Sequence, residues 1–364
     1  MVPTITSNYL IPTGREEAWR FTPLSRLAGL HDGSSIMSDR KSLNLKGTIQ
    51  MGVRALRVDR DAISHISSSD DAIVQRIHAE AEDVFLLEIA ENVDVTDPIY
   101  LSRVVDDSQG AELSRVRISL GVNSKAVIVV ENTGQAILGE DVEISLAPGS
   151  TLKFITLQEW ESNAIHAARH HAIVDRDATF QSITVSVGGA VVRLLPTVEF
   201  AGPGASAELL GVYFATAGQH LEHRMHINHG VPRARSRVNY KGALAGADAR
   251  TVWIGDVHIR AAAEGTDTYE LNRNLLLSDG ARADSVPNLE IETGEIVGAG
   301  HASTTGRFDD EQLFYLMSRG IEMDEARRLV VRGFFSEIIS KIGDLPTEER
   351  LMSRIEFELA KAGH

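Results

Sequence analysis

At 364 residues the chain exceeds the usual single-domain size, and its 43% hydrophobic and 24% charged residues with 30 glycines describe a folded, turn-rich protein. A formal charge of −15 without a basic stripe argues against a phosphate-tracking surface, so neither nucleic acid nor an anionic membrane is an expected partner. The chain has no cysteine, which excludes disulfides, thiolate zinc sites, cysteine nucleophiles and a self-contained cysteine-ligated iron–sulfur cluster.

The start, MVPTITSNYLIPTG, lacks the charged region and apolar block of an export signal, and no run approaches the ~20 apolar residues of a membrane span. A cytoplasmic location is the expectation. Residues 1–95 read as a mixed, partly helical domain. In GREEAWRFT, Trp19 and Phe21 follow two glutamates, as in a short element whose aromatics dock on a core. Asp70 to Phe85 carries Ile73, Ile77, Ala81 and Phe85 at fourfold spacing behind an acidic start, which predicts a helix.

From residue 96 to 306 the texture changes to short alternating apolar segments, clearest at Val127 to Val130, Val142 to Leu146, Leu152 to Phe154, Ile183 to Val187, Leu209 to Phe214 and Val252 to Ile254. A turn residue with Ala or Ser precedes strands at Gly149, Asp177, Gly204, Gly246 and Gly280, spaced 28, 27, 42 and 34 residues apart. A parallel β-helix with coils of unequal length fits this pattern best. A two-sheet sandwich is the alternative, because periodicity does not separate stacked coils from packed sheets.

Residues 307–364 read as a helical domain. Asp309 is placed to cap a first helix with a Leu313/Phe314/Leu316/Met317 stripe, and Gly320 to end it. Asp324 opens a second helix, apolar around much of its girth through Phe334, Phe335, Ile338 and Ile342. Thr347 is placed to cap a third.

Four histidines recur every three residues in HLEHRMHINH (His220, His223, His226 and His229). On a strand, residues three apart face opposite sides and those six apart lie roughly 20 Å apart, so one metal cannot gather them, and surface or edge positions are the plain reading. HAARHH permits an i, i+4 pair on a helix but lacks the carboxylate of a zinc-protease motif. No phosphate-binding loop and no G-x-S-x-G occurs, so this chain is expected neither to bind nucleotide nor to use a serine nucleophile. His301 in GAGHASTTG is the best single candidate. Its small neighbours leave the imidazole free to ligate iron or relay a proton, although a turn histidine bonding its own loop fits the same residues.

GREEAWRFT, NHGVPRARSRVNYKGAL (Asn228 to Leu244), TDTYELNRNLLLSDGARADSVPNLEI (Thr266 to Ile291) and GHASTTGRFDDEQLFYLMSRGI occur in the order found in the SufB/SufD family of iron–sulfur cluster assembly proteins, and the chain resembles the SufD side of that family. The resemblance implies a right-handed parallel β-helix core flanked by N-terminal mixed and C-terminal helical domains. It implies a non-catalytic scaffold that pairs with SufB through an edge of the β-helix and carries the SufC ATPase on its C-terminal helices.

His301 matches the family position at which SufD shares a transient iron–sulfur cluster with SufB; where some members have a cysteine two residues earlier, this chain has Ala299. Phe314, Tyr315, Arg319 and Phe334 are the expected members of the SufC-docking surface. Flavin binding and the identity of the sulfur donor stay open. A β-helix enzyme acting on polysaccharide, an atypical SufB-like chain and a homodimeric adaptor are the competing readings.

Overall fold

The computed structural model describes residues 10–63, 67–106, 109–307 and 310–362, without the side chains of Asp310 and Gln312. After two short 3-10 turns, Glu17–Trp19 and Leu24–Arg26, come β1 (Leu43–Lys46), β2 (Val53–Asp59), α1 (Ala72–Glu80), β3 (Asp83–Ile89) and β4 (Ile99–Val105). Strands of nine or ten residues then follow one another: β5 (Ala111–Leu120), β6 (Lys125–Gly134), β7 (Ile137–Leu146), β8 (Thr151–Trp160), β9 (Ile165–Val174), β10 (Thr179–Val187) and β11 (Val191–Phe200). The series continues with β12 (Ser206–Ala215), β13 (His220–His229), β14 (Arg235–Leu244), β15 (Arg250–Ile259), β16 (Asp267–Leu276), β17 (Arg282–Ile291) and β18 (Gly298–Arg307). Three helices close the chain: α2 (Asp310–Met317), α3 (Met323–Ile339) and α4 (Leu345–Ala362).

The strands form two sheets, β1-β4-β6-β8-β10-β12-β14-β16-β18 and β17-β15-β13-β11-β9-β7-β5-β3-β2. Every pairing is parallel except β1 with β4 and β2 with β3. Successive strands therefore alternate between two facing walls, which is a parallel β-solenoid of about eight turns. The sandwich alternative falls, because a sandwich of antiparallel hairpins would pair sequential strands within one sheet.

A left-handed residue recurs at one turn of successive coils. Asn123, Gly149, Asp177, Gly204, Arg233 and Gly265 all have positive φ and stand just ahead of β6, β8, β10, β12, β14 and β16. Gly, Asn and Asp accept that conformation most readily. Their N–H groups reach the next coil, as Gly149 N does to Arg176 O at 2.9 Å and Gly265 N to Glu295 O at 2.6 Å.

The sequence repeat mixed two rows of turns. Gly149, Asp177 and Gly204 precede strands of the first sheet, whereas Gly246 and Gly280 belong to the turns before β15 and β17 in the second. The 42-residue gap is the place where the series changes rows, passing over the turn at Arg233. Counted within one wall, strand starts at 125, 151, 179, 206, 235 and 267 step by 26, 28, 27, 29 and 32 residues.

Each outer face has its own cover. Trp19, Leu27, Leu30, Ile73 and Ile77 pack on Ala111, Ala167 and Val191 of the second sheet. Arg193 lies over the Trp19 ring at 4.0 Å and bonds Asp71 at 2.7 Å, so GREEAWRFT docks through Trp19 while Phe21 stays half-buried. The expected helix over residues 70–85 is shorter: Asp71, not Asp70, caps it by accepting from Ile73 N and Val74 N, and Ala81 is already extended. Phe85 falls in β3, where pairing with β5 and burial in the bore override helical spacing. β1, β2 and β3 also carry both sheets upstream of residue 96.

On the first sheet's outer face, Val331, Phe335, Ile338, Ile339, Leu351 and Ile355 of α3 and α4 cover Ile155, Leu157, Ile183, Val185, Val212 and Phe214. The apolar girth of α3 is thus spent within the chain. Lys241, in the YKG stretch, pins α3 through Phe334 O at 2.9 Å and Glu337 at 2.7 Å. Asp309, the expected cap of α2, lies outside the described residues. α3 starts at Met323 rather than Asp324. Thr347 does not cap α4, which begins at Leu345; Asp344 accepts from Thr347 N at 3.0 Å, and Pro346 sits in the first turn, where a missing N–H is tolerated.

Phe335→Ala would leave a cavity between α3 and the sheet where the ring is wholly buried. The expected cost is about 3–5 kcal/mol. Urea unfolding would measure it, and limited proteolysis should show earlier cleavage in the region of α2 to α4; wild-type values on both would contradict this packing.

Candidate functional site

The two sheets end in unpaired edges at β17 and β18, which form the last coil. Side chains alternate along a strand, and the inner side of β18 is marked by Ala299, which packs against the bore core, and by Ser303, whose hydroxyl donates to Ser285 Oγ of β17 at 2.7 Å. His301 lies between them on the same side. It is exposed and makes no hydrogen bond or ion pair among the described residues, unlike a turn histidine tied to its own loop. His301 therefore stands at the open end of the bore, on a strand.

Beneath it, the inward row of β16 pairs with that of β18: Glu270 with His301, Asn272 with Ser303, and Asn274 with Thr305. The asparagines are fully engaged. Asn272 donates to Tyr213 Oη at 2.8 Å and accepts from Ser285 and Asn274, while Tyr213 Oη donates to Asn274 at 2.8 Å. Glu270 is different: it is 1% exposed, and neither carboxylate oxygen has a partner among the described residues. Burial, aided by the negative charge of Asp256, pushes its carboxyl up to about 8. Glu270 was not singled out from the sequence, because a lone Glu in TDTYELNR carries no motif; only register with His301 brings it to notice.

The column that ends at Asn274 and Thr305 runs down the bore through Gly242 to Tyr213, Ser186, Gln158, Asn132 and Arg103, in register from one coil to the next. Arg103 donates to Glu140 at 2.7 Å and to Asn132 at 2.6 Å. Burial raises the Glu140 carboxyl, but Arg103 and His166 outweigh it and hold it well below the usual carboxylate range. His223 stacks on Tyr213 at 5.0 Å and contacts Ser186 at 3.1 Å; burial pushes its imidazole down to about 3.

These positions correct the histidine reading. His223 and His229 point into the bore and are wholly buried, His220 is buried against Glu222 at 3.0 Å beneath the N-terminal cover, and only His226 is exposed. The strand alternation held; surface or edge placement did not, because three of the four satisfy buried polar partners or fill core. HAARHH lies in β9, so His166 and His170 are not one helical turn apart.

Two further clusters hold three potential ligand atoms within 4.8 Å of one another: His78/Asp141/Glu143 and His258/Glu290/Glu292. Neither includes His301. Arg169 already occupies Asp141 at 2.7 and 2.9 Å, and Glu292 pairs with His258 at 2.7 Å and Arg260 at 3.6 Å.

The other candidates lie on the C-terminal helices. Phe314 is 74% exposed and Tyr315 54%, with the Arg319 guanidinium 4.5 Å above the tyrosine ring. Of the expected α2 stripe only Leu313 is buried. Phe334 stands apart from this patch: it is half-buried beside Phe335 at 5.1 Å, with Lys241 5.4 Å from its ring. It serves the seam between α3 and the solenoid.

The family model for the SufBD core domain of the SUF system of FeS cluster assembly matches residues 103–334. The chain belongs to the SufB/SufD family. Iron-sulfur cluster assembly SufBD family proteins of Mycobacterium leprae and Mycobacterium tuberculosis are 44% and 45% identical to this SufBD chain, each over 96% of it and over 91% and 89% of their own lengths. A second SufBD family protein of M. leprae is 32% identical over 222 residues, 61% of this chain but 25% of that protein. No described helix of this SufBD protein is long and apolar enough to cross a membrane.

Because folding raises the Glu270 carboxyl from 4.5 to about 8, the native state binds its proton more tightly than the unfolded chain does. Its contribution to stability therefore falls as pH rises through that window. Chemical denaturation between pH 5 and 8.5 should show Glu270→Gln flattening the decline and stabilising the alkaline end; an unchanged slope would place the charge cost elsewhere.

Proposed function

We propose that this SufBD family protein acts as the SufD-type, non-catalytic scaffold of a complex with a SufB-type chain and the SufC ATPase. In this reading β17 and β18 pair with the partner's edge strands, and His301 is this chain's contribution to a site where an iron–sulfur cluster is built as cargo. The observation that carries the reading is an exposed, unbonded imidazole on the terminal edge strand, at the mouth of the bore. Unpaired edges favour strand addition by another chain. With no cysteine here, thiolate ligands must come from across that edge.

Length supports the SufD side. The relatives matched nearly end to end are of similar size, whereas the second M. leprae family member extends far beyond the matched region. Phe314, Tyr315 and Arg319 form the ATPase dock in this reading, while Phe334, apart from it, holds α3 to the solenoid. The dock follows β18 directly in the chain, so motion of a bound ATPase has a short path to the mouth. The location that follows is the cytoplasm.

His301→Ala should lower cluster-dependent enzyme activity in cells by roughly tenfold or more while the complex still copurifies. Normal output from that variant removes His301 from the site. Phe314→Ala with Tyr315→Ala should weaken capture of the ATPase by roughly tenfold, without changing the thermal midpoint. Undiminished capture would move the dock elsewhere.

A further inference from the structure

Glu270 stands one coil beneath His301 in the same inward row, 1% exposed and with both oxygens unpartnered among the described residues. An isolated buried carboxylate costs free energy unless something satisfies it. Gln158, His170, His223 and Tyr240 each leave one buried polar atom unpartnered among the described residues, but Glu270 leaves both oxygens of a carboxylate so. One step along the row, Asn272 and Asn274 exchange hydrogen bonds with each other and with Tyr213, Ser285 and Thr305.

The space around the carboxylate is also built. Residue 255 on the facing wall is glycine, and a Cβ there would lie 2.6 Å from Glu270 Oε1 and 2.7 Å from the Trp253 ring. Trp253 Nε1, in the same coil, is likewise buried without a partner. Above Glu270 only β18 closes the row, and there the side chain is His301.

We propose that Glu270 is a second ligand, behind His301, for a divalent cation of the ferrous class entering the open end of the solenoid. The inference rests on the reading of His301 given above and adds to it where the metal is received. One carboxylate oxygen and one imidazole nitrogen are a donor pair suited to Fe(II). The remaining coordination positions face the mouth, toward water and the partner's edge. No electron transfer is involved: the ion binds as Fe(II), the carboxyl proton of Glu270 passes to water at the mouth, and the ion leaves this pair as cargo.

Anaerobic titration of the full chain with Co(II), read by visible absorption, with Fe(II) as competitor, tests this. The wild type should take up one ion that Fe(II) displaces, and Glu270→Gln and His301→Ala should each weaken it by roughly tenfold or more. Far-UV circular dichroism confirms that the variants fold. His258→Ala, in the outer-face cluster, should bind as wild type. No uptake by the wild type, full affinity in Glu270→Gln, or loss only in His258→Ala overturns the proposal. If Glu270→Gln binds normally while His301→Ala still lowers cluster output, only the Glu270 ligand falls. If His301→Ala changes neither measurement, the reading of the mouth falls with it.

Discussion

Register is the constraint on which the molecule depends. In a parallel stack each strand must place residue i above residue i of the coil below, and a slip of one would exchange bore and surface along the whole strand. The left-handed residue ahead of β6, β8, β10, β12, β14 and β16, hydrogen-bonded to the turn of the next coil, resets the chain at the same point each time. Coil length then grows from 26 to 32 residues without loss of alignment. The added residues extend connections, and the paired strands stay ten residues long over most of the core.

That alignment turns single side chains into columns. Apolar columns make the bore core, while the column from Arg103 through Asn132, Gln158 and Tyr213 is polar and almost wholly buried. Neighbouring coils supply many of the partners that make such groups tolerable. Arg103 has Glu140, Asn132 and Ser114, and Asn272 has Tyr213, Ser285 and Asn274. Glycine is used where two columns collide: a Cβ at residue 242 would overlap the Tyr213 ring. Removing one member of such a column would leave its neighbours unsatisfied, which costs more than the bond itself contributes.

A solenoid buries its inner rows but leaves two outer faces and two ends. Here the N-terminal segment covers one face and α3 with α4 the other, so apolar residues of α3 are buried inside the chain. Among the described residues the places left open include the sheet edges at both ends, β17 with β18 and β1 with β2, and the Phe314/Tyr315 patch. The β17/β18 end and this patch hold backbone edges and aromatic rings that the chain does not satisfy internally.

Much of this was legible in the chain. Alternating apolar residues located every strand singled out, turn residues announced stacked coils, and the family blocks singled out His301, whose place on an edge strand only the fold shows. Zero cysteine by itself excluded a self-contained cysteine-ligated cluster. Other features were decided by tertiary structure alone. Phe85 became a strand residue because β5 offered a parallel ladder, Phe334 was drawn into the α3 seam by Lys241, and His223 and His229 went inside because strand register aimed them there. Glu270 is the sharpest case: its neighbour in space, His301, is a full coil away in sequence, and only stacking of β18 on β16 places one above the other. Local pattern specifies which way a side chain faces; which side chain it meets depends on coil length, and that is settled only when the coils stack.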